Sequence, residues 1–187
     1  MGEHMWIVSA MIVWIACCFP SWWSVPIATI AGGGILYLAP PPGPIVAGGW
    51  YKILALVPVA AYNMYLDVRY QVVDIRLDCI LALLCLFHDL LYTQTVARTL
   101  MIWAPIGVMM ALGIRWGKVG EGDIFVATST VFASAPHHTM FLFLLVLLSA
   151  LWSLWFLVCR KQKQTNIPYS PLWYLAAIGG CLSMTAY

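Results

Sequence analysis

The sequence predicts an all-α, polytopic membrane protein of about eight transmembrane helices, and three observations lead there. Of its 187 residues, 63% are hydrophobic and only 9% charged, against about 25% charged in a soluble globular domain. The mean hydropathy is +0.90. Apolar runs also recur along nearly the whole chain, broken by short polar or Pro/Gly-rich stretches. A crossing helix needs about 20 mainly apolar residues, so a chain of this length holds at most about eight spans and no separate soluble domain. The net charge of +2 is small and scattered, which argues against a nucleic-acid surface and for a lipid bilayer as the chain's surroundings.

The elements follow in order. "MGEHM" ends in His-Met and reads as a cloning scar, residues 1-4, with Met5 as the natural start. The first run, Met5 to Phe19, is short but has no convincing cleavage site after it, so it counts as a span. Pro20 separates it from a second run, Trp22 to Ala39, and "PPPGP" (Pro40 to Pro44) makes a stiff turn. A third run, Ile45 to Leu66, stops at Asp67, and the polar segment "DVRYQVVDIRLD" continues to Asp78. Further runs follow at Cys79 to Val96, Leu100 to Ile114 and Ile124 to Ala135. The last two, Thr139 to Cys159 and Pro171 to Ala186, bracket the basic loop "RKQKQTNIPYS". Two N-terminal helices (1-44) thus precede a six-helix core (45-187).

Basic residues orient these spans. Arg69 and Arg76 follow helix 3, Arg115 and Lys118 follow helix 5, and Arg160, Lys161 and Lys163 follow helix 7, whereas the alternate loops hold only Arg98. The positive-inside rule puts the loops after helices 3, 5 and 7 in the cytoplasm. Asp67, closing helix 3, and Asp123, opening helix 6, then share one membrane face. Acids in or beside a membrane are costly and are functional candidates by default. A close pair is the equipment of an aspartyl protease, one carboxylate activating water while the other, protonated, polarises the scissile carbonyl. Gly120 and Gly122 remove side chains beside Asp123, so a second helix or a substrate backbone can come close.

These residues resemble a known family. "GEGD", Gly120 to Asp123, is similar to the Gly-x-Gly-Asp motif of intramembrane aspartyl proteases. "DVRYQVVD", Asp67 to Asp74, resembles the type IV prepilin peptidase segment in which the first catalytic aspartate closes a helix before a basic, aliphatic stretch. "NIPYSPLWYLAAIGG", Asn166 to Gly180, with Pro168 and Pro171, is similar to the proline-containing start of that family's last helix. Val72-Val73-Asp74 stands where many bacterial members have Ile-Pro-Asn, and is closer to the archaeal preflagellin and prepilin peptidases. The resemblance covers Ile45 to the end and leaves the first two helices unexplained.

The resemblance implies an aspartic endopeptidase with Asp67 and Asp123 as catalytic residues, Gly120 and Gly122 as motif-supporting, and Asp74, Glu121, Pro168 and Pro171 as secondary candidates. Its substrates are pilin-like or archaellin precursors, whose short basic leader is removed at the cytoplasmic face. It requires no metal or organic cofactor, and N-methylation is not expected. The sequence does not indicate an oligomeric state.

Other polar residues have plainer readings. Asp74 and Asp78, as parts of a polar loop, are expected to be solvated or paired with Arg69 or Arg76, and Glu121 to be solvated. His88 and Asp89 lie about 15 Å from the cytoplasmic end of helix 4, where a mutual or helix-bridging hydrogen bond is expected. His137 and His138 fall in an outward loop. The six cysteines include no C-x-x-C pair and read as small core residues. Helix ends suggest that Asp67, beside the carbonyl end of helix 3, holds the shared proton, and that Asp123, beside the N–H end of helix 6, is the resting base. A proton-coupled transporter or channel using Asp67, Asp89, Asp123 and His88 as a relay is the alternative function.

Overall fold

The structure is a computed structural model that describes residues 5–18, 21–38, 46–117, 119–158 and 169–185. Eight α-helices run through them: α1 (Met5–Cys18), α2 (Ser24–Leu38), α3 (Val46–Tyr70), α4 (Ile75–His88), α5 (Val96–Arg115), α6 (Glu121–Ala133), α7 (His138–Val158) and α8 (Ser170–Thr185). One π turn, Asp89–Thr93, continues α4. No strand occurs among the described residues. The expected scar at residues 1-4, the Pro40 to Pro44 turn, Lys118, and the segment 159–168 with Arg160, Lys161, Lys163 and Pro168 lie outside them.

Each expected run corresponds to a helix, but three boundaries move toward polar residues. α3 continues through Asp67 to Tyr70, α4 begins at Ile75, and α6 begins at Glu121. Two of the shifts have a common cause, because the starts of α4 and α6 are capped by their own polar side chains. Asp74 caps α4, its carboxylate accepting the Arg76 N–H, and the carboxylate of Asp123 turns back to the N–H of Gly120. Hydropathy alone assigns such residues to loops.

α3 lies at the centre, packed along α8 and α1, while α4 packs along α6 and α2. Leu56, Leu81, Leu84, Val126, Phe141 and Tyr174 form much of the buried core. Glycines allow close helix approach: a Cβ on Gly32 would press on Leu84, and one on Gly179 would overlap Leu144. α5 and α7 are peripheral. They are the two described helices long and apolar enough to cross a membrane, over Val96–Arg115 and His138–Trp155. α1, α2, α4, α6 and α8 have 14, 15, 14, 13 and 16 residues, short of the about 20 that a full crossing takes.

The last turn of α3 meets the first turns of α4, α6 and α8 at one end of the bundle. Contacts of Asp67 with Ser170, of Asn63 with Asp74, and of Val73 with Gly122 gather there. At the other end, Lys52 near the start of α3 reaches Asp89 and the carbonyls at the end of α6. The bundle therefore has two polar ends around an apolar middle.

Candidate functional site

The described parts of the three stretches that carry the family resemblance come together at the first of these ends. Asp67, in the last turn of α3, is buried, and its Oδ2 accepts the backbone N–H of Ser170 at 3.0 Å. That N–H is one of the free donors at the start of α8, so the carboxylate caps this helix from a neighbouring one. Past Asp67 the chain turns sharply. Gln71 adopts a left-handed conformation, φ 56°, and donates its N–H to the Asp67 carbonyl at 3.0 Å. The following residues carry Val73 against the first turn of α6, where Gly122 has no Cβ. A Cβ there would overlap Val73 Cγ2, so Gly122 lets the segment that follows Asp67 lie directly on the helix that bears Asp123.

Asp123 is half-buried, its Oδ2 accepting the Gly120 N–H at 3.0 Å. It stands ahead of the apolar run of α6. Partial burial raises its pKa; the Gly120 hydrogen bond opposes this and the nearby charge of Asp67 adds to it. Asp123 also lines a cavity of about 290 Å³, together with Met110 of α5, Val119, Leu145 and Ser149 of α7, Tyr169, and Leu172 and Trp173 of α8. The start of α8 joins the two acids. Ser170 binds Asp67, and its neighbours Tyr169 and Leu172 wall the cavity beside Asp123.

The other candidates divide. Gly120, with ordinary φ of −74°, sits beside the Asp123 carboxylate, Glu121 is exposed, and Pro171 lies in the first turn of α8. Asp74 pairs with Arg76, as one of its expected readings had it: Oδ1 accepts Nε at 2.8 Å and Oδ2 accepts an Nη at 2.6 Å. Asp78 departs from expectation. It is neither solvated nor paired with an arginine, but fully buried in the first turn of α4. Its Oδ1 accepts Ser129 Oγ at 2.5 Å and the Tyr174 hydroxyl at 2.7 Å, and its Oδ2 accepts Asn63 Nδ2 at 3.0 Å. Those partners lie on α6, α8 and α3, too scattered for sequence spacing to reveal them.

The opposite end supplies one more correction, at His138, and shows the helix-bridging hydrogen bond expected at Asp89. His138 is no loop residue; it opens α7 and is buried. Asp89 does contact His88, Nδ1 to Oδ1 at 3.3 Å, but its main partner is Lys52, whose Nζ donates to Oδ1 at 2.6 Å and to the carbonyls of Ala135 at 2.7 Å and Phe132 at 3.3 Å. Sequence reading passed over Lys52. The available signal was a lysine inside one apolar run and an aspartate inside another, since two opposite charges withdrawn from water are each other's best partners.

The helix-end argument that gave Asp67 the proton considered each acid's own helix; in the structure the N-terminus of α8 also comes onto Asp67. Among the described residues, no group of three or more His, Cys, Asp or Glu is arranged to hold a metal ion. The described cysteines Cys17, Cys18, Cys79, Cys85 and Cys181 are free thiols. No protein-family model, curated protein or solved structure matches the chain.

Proposed function

We propose that the chain is a membrane-embedded aspartyl endopeptidase of the prepilin or preflagellin type, which removes the short basic leader from pilin-like or archaellin precursors. The observation that carries the reading is the meeting of Asp67 and Asp123 around the start of α8, next to an apolar cavity. A carboxylate pair supplies the base for water and the acid for the scissile carbonyl. The cavity gives the substrate's apolar residues a place beside the reacting bond. In this reading all eight helices are embedded in the bilayer, the short ones packed against α3 and α4 with α5 and α7 at the periphery, and the dyad lies near the cytoplasmic face. Support comes from the outer surface: Ile30, Met101, Met109 and Val146 are each at least 69% exposed, an apolar coat suited to lipid.

The substrate's chemistry fits this location. A basic leader stays in water, an apolar helix stays in lipid, and the bond between them falls at the boundary. Helical peptide carbonyls are tied up in hydrogen bonds, so the cleaved segment must be extended locally before water attacks. Asp67, whose carboxylate accepts the Ser170 N–H, takes the proton from water, and Asp123 faces the carbonyl. No metal or organic cofactor enters this scheme.

The test is incubation of membranes containing the chain with a short-leader precursor. Wild type should cleave at the junction of leader and apolar helix. Asp67→Asn and Asp123→Asn should each abolish cleavage while still inserting and accumulating, since an amide neither activates water nor shares the proton. Full activity in either variant removes that residue from the dyad. Transport of protons by wild type without any cleavage would favour the relay reading instead.

A further inference from the structure

We infer that Asp78 is a positioning residue: through Asn63, Tyr174 and Ser129 it sets the depth and rotation at which α3 presents Asp67 and α6 presents Asp123. Its activity readout rests on the protease reading above. Asp78 is 0% exposed, and its three donors come from three different helices while it belongs to a fourth. They are the helices whose ends build the candidate site.

The register ties this network to the dyad. Asn63 is four residues before Asp67, one turn along the same face of α3. Tyr174 is four residues after Ser170, whose N–H binds Asp67, one turn along α8. Asn63 also donates to the Tyr174 hydroxyl at 3.0 Å, so α3 and α8 are joined by two successive rungs. Ser129 lies six residues after Asp123, about 9 Å along α6. The network therefore sits one to two turns beneath the acids.

Apolar contacts between helices tolerate small slips and rotations, but hydrogen bonds to one carboxylate do not. A fully satisfied buried network specifies a single arrangement. Each part here has a fixed direction. The Asp74 N–H, donated to Asn63 Oδ1 at 2.8 Å, holds that carbonyl toward the start of α4 and leaves Nδ2 facing Asp78. Asp78 must then be an acceptor on both oxygens. An amide in its place would set an NH2 group against the NH2 of Asn63, or turn away from Ser129 and Tyr174.

The test compares wild type with Asp78→Asn, Ser129→Ala and the exchange Asn63→Asp/Asp78→Asn, all as full chains, with rates normalised to folded protein. A dyad works when singly protonated, so its pH–rate profile is a bell whose width reports how strongly the two acids interact. Asp78→Asn should lower kcat by about 10²-fold, the scale of a misplacement near 1 Å, with KM near wild type and a narrower bell. Ser129→Ala, which cuts only the tie to α6, should shift both readouts the same way but less. The exchange restores donor to acceptor between positions 63 and 78, although it loses the Asn63 donation to Tyr174, and should recover part of the rate and width. Wild-type kcat and bell width in folded Asp78→Asn or Ser129→Ala would overturn the inference, as would an exchange variant that folds yet stays as slow as Asp78→Asn.

A second readout does not depend on proteolysis. In an Asp67→Cys/Asp123→Cys variant, a short bis-thiol reagent should cross-link the two positions, with each single variant as the control for native thiols. Adding Asp78→Asn should lower the yield. Unchanged yield overturns the positioning role. A lowered yield in a chain that cleaves no precursor leaves the positioning role standing and sinks the protease reading.

Discussion

Asp123 stands at the third position of α6, half-buried and close enough to Asp67 to feel its charge, and burial raises its affinity for a proton. With Asp67→Asn removing the partner's charge, burial still acts, so carboxyl-resolved infrared titration should find the lone Asp123 above the ordinary aspartate value of about 3.9. A lone Asp123 that titrates at or below that value would return the proton to Asp67. The same shift has a stability consequence. A folded-state pKa above the unfolded one means the native state binds more protons between the two values, so stability falls as pH rises through that window. The cost grows as pH rises above the unfolded value of about 3.9. Asp123→Asn should therefore raise the melting temperature at pH 7 while leaving it nearly unchanged below pH about 3, where both states carry the protonated acid. Equal effects at both pH values would show that burial of the charge is not what the native state opposes.

At the scale of elements, the two glycines of "GEGD" have different work. Gly122 accepts Val73 from the segment after Asp67, and a Cβ would overlap that stiff, β-branched side chain, whereas a Cβ on Gly120 would meet Asp123 Oδ2 at 3.4 Å, a tight but tolerable contact. Gly122→Ala should push α6 away from the α3–α4 connection and cut cleavage by about 10²-fold. Gly120→Ala, whose backbone needs no left-handed angle, should cost far less. Reversal of that order, measured as cleavage rate per folded molecule, would show that the motif's glycines serve something other than helix approach. The helices themselves were legible because hydropathy marks apolar runs directly. Their ends were not, because Asp74 caps a helix from outside and Asp78 and Asp123 are polar residues used inside first turns. Likewise Asp67 and Asp123 could be brought to one end by charge bias and helix count, but the Asp67 contact with Ser170 could not, since nothing local marks which helix start a carboxylate will cap.

Across the whole molecule, the end opposite the candidate site is held by a charge pair. Lys52 and Asp89 are 1% and 0% exposed, 2.6 Å apart, and Lys52 also closes two carbonyls at the end of α6, so one ammonium joins α3, the turn after α4, and α6. Sequence reading counted Asp89 as a relay candidate because its partner lay unnoticed in another run. Removing one member of a buried pair strands the other, at a cost of about 3–5 kcal/mol, whereas replacing both with apolar residues of similar size can be nearly neutral. Asp89→Leu alone should therefore strongly destabilise the chain in detergent, and Lys52→Met/Asp89→Leu should recover much of the loss. Recovery should be incomplete, because the Ala135 carbonyl then loses its Lys52 donor, at about 1–3 kcal/mol when left buried, while the Phe132 carbonyl keeps its backbone donors. Folded molecules of the double variant should still cleave, since the substitutions lie at the far end of the bundle from Asp67 and Asp123. A double variant no more stable than Asp89→Leu would mean that the pair is not energetically coupled. One that is stable and folded, yet inactive, would mean that the charge pair takes part in the chemistry.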